Sequence, residues 1–220
     1  MGRAAGAPGP DRWRAEPRAA GKVAPTRASA GRRHGPAAGR CTRIPDVDPI
    51  ERLVATEAIR QLAARYAVCL DARDLDGLVG LYPPGVRAAG GRTGRDALRE
   101  DFDRSLRGVG ITFLQVGNHV IDFRDDHHAS GIVYCRGEIQ DGGRESDRWI
   151  VQAIQYHDDY ACVDGEWYFT RRRHLLVYGA ELGENPLALE PAEWPARQTG
   201  MGSVPHDLET WRRFWGLEPL

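Results

Sequence analysis

The spacing of the hydrophobic residues changes once along this chain, near residue 110. Before that point they recur every three or four residues, which is typical of amphipathic helices. Beyond it they alternate with polar residues, which is typical of strands with one buried face. The order predicts three helices followed by an antiparallel meander. We therefore expect an α+β fold in which the three N-terminal helices pack on one face of a strongly curved, mostly antiparallel sheet.

The helical half contains clear start signals. Asp48 can cap a first helix, which should run to about Leu70, and Asp74 can start a second. A third helix is predicted from Thr93 or Gly94 to Leu106. The apolar face of the first helix is predicted to contain Ile59, Leu62, Tyr66 and Leu70.

The strand half ends in a hairpin signal. The dipeptide Asp164-Gly165 favours a tight turn between the last two strands. Residues 181–220 are predicted to wrap the domain as an extension with a short helix over Asp207–Trp215. The predicted strands are Ile111–Val116, His119–Phe123, Ser130–Gln140, Trp149–Cys162 and Glu166–Tyr178.

Residues 1–46 differ in composition from the rest of the chain. They hold nine Arg and one Lys against three acidic residues, with many Ala, Gly and Pro and few large aliphatic side chains. Such a segment buries too little surface to fold, so we predict a disordered tail, with an Arg-rich transit peptide as the alternative. Its net charge of +7 leaves −8 on the remainder. An acidic domain argues against a nucleic-acid partner.

The cysteines and the hydropathy predict a cytoplasmic protein. Cys41, Cys69, Cys135 and Cys162 are scattered without a CxxC pair and are interpreted as reduced thiols. No apolar run approaches the roughly 20 residues that a membrane span needs. A secretory hydrophobic region is also missing, so no membrane partner is expected.

Several short stretches resemble the SnoaL-like domains of the nuclear transport factor 2-like superfamily. They are Tyr66–Asp71 followed by Asp74–Leu78, then Ala129–Gly131, then Asp164–Phe169. The resemblance implies a cone-shaped domain over residues 47–180, with a pocket between sheet and helices. The superfamily includes scytalone-dehydratase-like and bile-acid-dehydratase-like lyases, ketosteroid-isomerase-like enzymes and polyketide cyclases. It also includes non-catalytic dioxygenase β-subunits, so the fold does not fix the function.

The resemblance assigns roles to two residues. Asp71 matches a dehydratase carboxylate that touches the reacting substrate, and Tyr66 matches a tyrosine that donates a hydrogen bond. The remaining polar positions of the dehydratases are occupied by apolar residues in this chain. They fall on Leu114, on Gly137 or Ile139, and on Leu176.

Strand alternation places further polar side chains toward the predicted pocket. Arg172 and His174 share one face of the last strand, and Tyr156 lies on the same face of the strand before it. The same alternation places Asn118 toward the pocket. His119 then points away from the pocket, to the surface or to an interface.

These residues predict acid–base chemistry without a cofactor. A base must remove a proton next to a carbonyl, and donors must hold the oxyanion that develops. We expect a dehydratase, isomerase or cyclase that acts on a cyclic or polyketide-like ketone or alcohol. The alternative is a non-catalytic ligand-binding protein or oligomer subunit of the same fold. Catalysis is assigned to Asp71, Tyr66 and His174, and substrate binding to Asn118, Tyr156 and Arg172.

No metal ion is expected, because the Asp125–His128 run lacks the ligand spacing of metal sites. A homodimer or homotrimer is predicted. One form of this assembly would pair copies through the outer face of the sheet.

Overall fold

Four long antiparallel strands form one curled, unclosed sheet, in the order β1-β2-β3-β4. The computed structural model describes residues 48–192 and 198–219, so the predicted tail over residues 1–46 lies outside the described residues. The predicted α+β meander is confirmed. The strands are β1 (Val109–Phe123), β2 (His128–Asp141), β3 (Arg148–Val163) and β4 (Glu166–Glu181).

Three helices precede the sheet, as predicted: α1 (Pro49–Asp71), α2 (Leu75–Gly80) and α3 (Arg95–Leu106). Asp48 caps α1 by accepting the N–H of Ile50 at 2.9 Å. Asp74 caps α2 by accepting the N–H of Gly77 at 3.0 Å. These side chains satisfy N–H groups that the first turn of a helix leaves without a partner. Short 3-10 segments lie between α2 and α3, at Ala89–Gly91, and after β4, at Pro186–Ala188.

Helix α1 lies across the inner face of the sheet and contacts β1 and β4. Its predicted apolar face is confirmed: Ile59 and Leu62 are buried, and Tyr66 and Leu70 are half-buried. On β3 and β4, Tyr160 and Phe169 are 1% and 0% exposed and belong to the same core. The core therefore lies between α1 and the concave face of the sheet.

The predicted hairpin between β3 and β4 is present. Asp164 and Gly165 have φ values of 52° and 84° and form a two-residue loop. Positive φ at both positions gives the turn a twist that matches that of the paired strands. The loop therefore holds β3 against β4 from their shared end.

Strand β1 differs from the prediction in being continuous and bulged. Val116 pairs with Cys135 and His119 pairs with Val133, so two residues of β1 between these pairs lie opposite one residue of β2. The extra residue shifts the alternation of side chains. As a result His119 points inward and Asn118 is exposed. The predicted directions of both side chains are therefore wrong.

The C-terminal segment covers one end of the sheet through α4 (Glu209–Trp215), which confirms the predicted short helix. Trp211 is 0% exposed and packs with Ile111, Trp149 and Val151. The Thr210 hydroxyl donates to the backbone carbonyl of Ala72 at 2.8 Å. The C-terminal helix is thereby fixed to the end of α1.

Candidate active site

Asp71 lies at the C-terminal end of α1, against strand β1. One carboxylate oxygen accepts the Thr112 hydroxyl at 2.7 Å, and the other accepts the Leu114 N–H at 2.9 Å. Burial raises the pKa of Asp71 to about 6, although both hydrogen bonds and the charge of Arg73 act in the opposite direction. Asp71 is therefore a half-buried carboxyl group that titrates close to neutral pH.

Arg73 supports this carboxylate from the turn after α1, and the sequence analysis missed it. The residue has a positive φ of 56° and is 2% exposed. Its guanidinium donates to the Leu70 carbonyl at 2.6 Å, to the Thr112 hydroxyl at 3.0 Å and to the Gly110 carbonyl. Burial lowers its pKa to about 10, against the attraction of Asp71. The available sequence signal was a basic residue just beyond a helix C-terminus, where the helix dipole favours a cation.

An aromatic–arginine cluster, consisting of Tyr66, Tyr156, Phe169, Arg172 and His174, lies between α1 and strands β3 and β4. The Arg172 guanidinium carbon is 4.3 Å from the Tyr66 ring centroid, 4.2 Å from that of Tyr156 and 4.4 Å from that of Phe169. Aromatic ring faces attract a guanidinium at such distances. The cluster therefore holds a positive charge among three rings.

Asp158 fixes the guanidinium of Arg172. The two residues are cross-strand partners, and Nε and Nη2 donate to the two carboxylate oxygens at 3.0 and 2.8 Å. The side chain of Asp158 is 0% exposed and that of Arg172 is 5% exposed. Burial disfavours the charge of Arg172, but the hydrogen bonds and attraction of Asp158 outweigh it and leave the pKa raised. Strand alternation predicts that both residues face inward, but not that they are paired.

A hydrogen-bond chain extends from this ion pair to β1. The Tyr160 hydroxyl donates to Asp158 at 3.0 Å, and its oxygen lies 3.1 Å from Nε2 of His119. Because that hydroxyl hydrogen points to Asp158, Nε2 of His119 must be the donor. Burial lowers the pKa of His119 to about 4, so its ring is neutral at pH 7. His119 is therefore a half-buried polar group on the inner side of the sheet, where strand alternation had not placed it.

His174 is the exposed member of the cluster. Its ring centroid lies 5.6 Å from that of Tyr156, its cross-strand partner. Desolvation lowers its pKa, although the residue as a whole is exposed. Five of the six predicted site residues thus lie on the facing surfaces of α1 and the sheet, and Asn118 does not join them.

Asp71 and the cluster are coupled electrostatically across an apolar wall. Burial raises the pKa of Tyr66, and among the nearby charges Asp158 and Asp71 raise it further while Arg172 lowers it. Leu114 and Ile154 form part of the wall, and a Cβ added at Gly137 would lie 3.3 and 3.1 Å from their side chains. Apolar groups thus pack at two of the positions where the resemblance places dehydratase polar residues, Leu114 and Gly137, whereas Leu176 is 52% exposed.

The described ranges contain no group of three or more His, Cys, Asp or Glu arranged to hold a metal ion. No helix within residues 48–192 and 198–219 has the length and apolar character required to cross a membrane.

Fold and site together define an α+β domain in which a half-buried carboxyl group and an aromatic–arginine cluster lie between the helices and a curled sheet. The family model of the SnoaL-like domain matches residues 51–173. This match covers more than half of the chain, so the protein belongs to the SnoaL-like domain family. No curated protein sequence shows significant similarity to it.

Solved structures share the fold at low sequence identity. A scytalone-dehydratase-like protein of Novosphingobium aromaticivorans is 23% identical, with a TM-score of 0.51 over 64% of this chain and 98% of that one. The LinA-type3 hexachlorocyclohexane dehydrochlorinase of Novosphingobium barchaimii is 17% identical, with a TM-score of 0.55 over 62% and 95%. A type 2 LinA dehydrochlorinase is 22% identical, with a TM-score of 0.52 over 62% and 94%. At these identities the likeness shows the fold alone.

Proposed function

We propose that this protein is a cofactor-free enzyme, a dehydratase, isomerase or cyclase, that moves a proton on a cyclic or polyketide-like ketone or alcohol. The carboxylate of Asp71 carries the proposal. Its pKa of about 6 lies close to neutral pH, and a general base is most effective when its pKa is near the pH of the reaction. Membership in the SnoaL-like family supports a small-molecule substrate.

Each member of the site has a role in this scheme. Asp71 takes the proton and returns it. Tyr66 keeps its own proton because its pKa is raised, and it donates a hydrogen bond to the substrate oxygen. Desolvation lowers the pKa of His174, which favours the neutral ring that can accept a proton. Arg172 is already held by Asp158, so it would stabilise a developing oxyanion from a fixed position.

Tyr156 lies under Arg172 and completes the substrate-binding surface. Asn118, which strand alternation had included, has no place in this scheme because it is exposed beside the bulge of β1.

Hydrogen–deuterium exchange next to a carbonyl tests the proposal without knowledge of the full reaction. Cyclic ketones and hydroxyketones are incubated with the protein in D2O, and loss of the α-proton signal is followed by NMR. We expect exchange above the buffer rate that increases as the pH rises through about 6, where Asp71 ionises. Asp71→Asn should lower the rate by about 100-fold or more, since general-base catalysis contributes on that order.

Asp126→Asn is the matched control, because it makes the same chemical change at an exposed position in the β1–β2 turn. Circular dichroism of both variants checks that the fold is retained. Exchange at the buffer rate across the whole panel, or an unchanged rate in Asp71→Asn, would contradict the proposal.

Two observations favour the alternative, a non-catalytic ligand-binding protein or a subunit like the dioxygenase β-subunits. Both oxygens of Asp71 already accept hydrogen bonds from β1, as those of a purely structural carboxylate would. Leu114 occupies the position at which the resemblance places the dehydratase histidine. The alternative predicts that wild type and Asp71→Asn bind ketones with similar Kd values in calorimetry, and that neither promotes exchange.

The proposal also includes a cytoplasmic location and assembly into a homodimer or homotrimer. Cys69, Cys135 and Cys162 are free, which suits the reducing cytoplasm. Phe113 and Tyr134, on the outer face of the sheet, are 55% and 48% exposed and would be covered in a homodimer or homotrimer. Light scattering would then give a mass two or three times the chain mass of 24.4 kDa.

A further inference from the structure

A cavity lies between helices α2, α3 and α4, and we call it the α3–α4 groove. Its volume is about 700 Å³, within the range of small-molecule sites. Leu75 and Phe214 give it an apolar patch, and both are buried. The hydrogen bond from Thr210 to Ala72 holds α4 in place, so the groove is built into the fold.

The groove is rich in arginine although the part of the chain that contains it is acidic. Five guanidinium groups line it against three carboxylates, while residues 47–220 carry a net charge of −8. The arginines are Arg73, Arg99, Arg104, Arg107 and Arg213, and the acids are Asp76, Glu100 and Asp103. The excess is two positive charges.

The three carboxylates are already engaged. Asp76 pairs with Arg99, Asp103 with Arg107 at 3.1 Å, and Glu100 with Arg92 at 2.5 Å. Their charges are therefore largely compensated locally, and they do not neutralise the remaining arginines of the groove.

Arg73 and Arg213 have no carboxylate within salt-bridge distance among residues 48–192 and 198–219. Arg213 is exposed on α4. Arg73 is 2% exposed, and its Nε is a buried donor with no hydrogen-bond partner in the described part of the chain. Buried donors are normally paired, because an unpaired one costs free energy. The wall of the groove thus contains a guanidinium group whose Nε lacks an acceptor and whose charge has no carboxylate partner at salt-bridge distance.

We propose that the α3–α4 groove binds a small organic dianion, a phosphate ester or a dicarboxylate with an apolar part. Two negative charges would neutralise the excess of the groove, and the planar guanidinium forks suit both headgroups. The apolar part would contact Leu75 and Phe214, beside which the Arg107 guanidinium carbon lies 4.1 Å from the Phe214 ring centroid.

The groove is also connected to the candidate active site. Arg73 donates to the Thr112 hydroxyl at 3.0 Å, and that hydroxyl donates to Asp71 at 2.7 Å. An anion beside Arg73 would offset the positive charge that favours ionised Asp71. A ligand in the groove would therefore raise the pKa of Asp71 and could regulate a base located there.

Calorimetry on the full chain tests binding independently of any activity. The probes are phenyl phosphate, phenylmalonate and neutral benzyl alcohol. We expect at least one dianion to bind with an affinity that falls as salt is added, and benzyl alcohol not to bind. Arg213→Gln should weaken the dianion by about tenfold, the typical effect of losing one charge-assisted hydrogen bond. Whichever dianion binds more tightly identifies the headgroup.

The matched control is Arg65→Gln, which removes the same charge from an exposed position on α1 outside the groove. It should leave the Kd unchanged. Equal losses in Arg65→Gln and Arg213→Gln would reveal diffuse surface attraction and overturn the proposal. Failure of both dianions to bind, or binding of benzyl alcohol with equal affinity, would overturn it as well. Because no turnover is measured, these outcomes do not depend on the proposed enzyme function.

Discussion

Replacing Asp71 by asparagine should change how the stability of the protein depends on pH. Folding raises the pKa of this carboxyl group to about 6, from about 3.9 in an unfolded chain. The folded protein then binds the proton more tightly than the unfolded chain does. As the pH rises from about 4 to about 6, the wild type must therefore lose stability. The asparagine variant has no such proton and should not show this loss.

The size of the effect follows from the pKa difference. About two pKa units correspond to roughly 3 kcal/mol of lost stability at pH 8 and about 1 kcal/mol at pH 4.5. Asparagine also loses one of the hydrogen bonds from Thr112 and Leu114, because its amide nitrogen cannot accept. That cost of about 1 kcal/mol is the same at both pH values. The advantage of the variant over the wild type should thus grow by about 2 kcal/mol between pH 4.5 and pH 8.

Urea unfolding followed by tryptophan fluorescence measures this difference, since Trp149 and Trp211 are buried at 4% and 0% exposure. Wild type, Asp71→Asn and the control Asp126→Asn are compared at both pH values. The control replaces an exposed carboxylate, so its free energy of unfolding should differ from that of the wild type by the same amount at both pH values. If Asp71→Asn differs from wild type by the same free energy at both pH values, the carboxyl group is not destabilised by burial and the reasoning fails.

Two further predictions concern stability. Arg172→Met leaves the carboxylate of Asp158 buried without its cation, so the free energy of unfolding should fall by about 3–5 kcal/mol in urea melts. The double variant Arg172→Met/Asp158→Leu should recover much of this loss. A loss below about 1 kcal/mol in Arg172→Met alone would contradict the prediction. Gly165→Ala should lower the free energy of unfolding by about 1 kcal/mol in the same assay, because Gly165 has a φ of 84°. No atom lies within 4 Å of the added methyl group, so neither a new contact nor a clash should alter this value. Gly85→Ala, with the same open surroundings and no positive φ, is its control and should be nearly neutral.

Features with a local sequence signal could be predicted. Asp48 and Asp74 cap the helices that they were expected to start, because capping needs only the side chain and the next few N–H groups. The Asp164-Gly165 turn formed for a similar reason, since both residues tolerate positive φ. Such signals are sufficient for the order of the elements and thus for the α+β fold.

Bulges could not be predicted, and they decide which side chains reach the site. Counting back from the two-residue hairpin would oppose Asp158 to Arg171. The register shift between Asp159 and Tyr160 pairs Asp158 with Arg172 instead, next to the aromatic rings. A bulge depends on the energy of pairing and packing across two strands, and neither strand alone contains that information. The inward position of His119 was missed for the same reason.

The resemblance places the dehydratase histidine at Leu114, and its absence there does not remove the base that we propose at Asp71. Leu114 supplies Asp71 with a backbone N–H, while its side chain packs into the apolar wall with Ile154. Burial of this kind is what raises the pKa of Asp71 to about 6. A protonated histidine partner would favour the ionised carboxylate and so lower the pKa of Asp71. A leucine excludes water and leaves the carboxylate more basic than a solvated one, so the apolar side chain strengthens the group that we propose as the base.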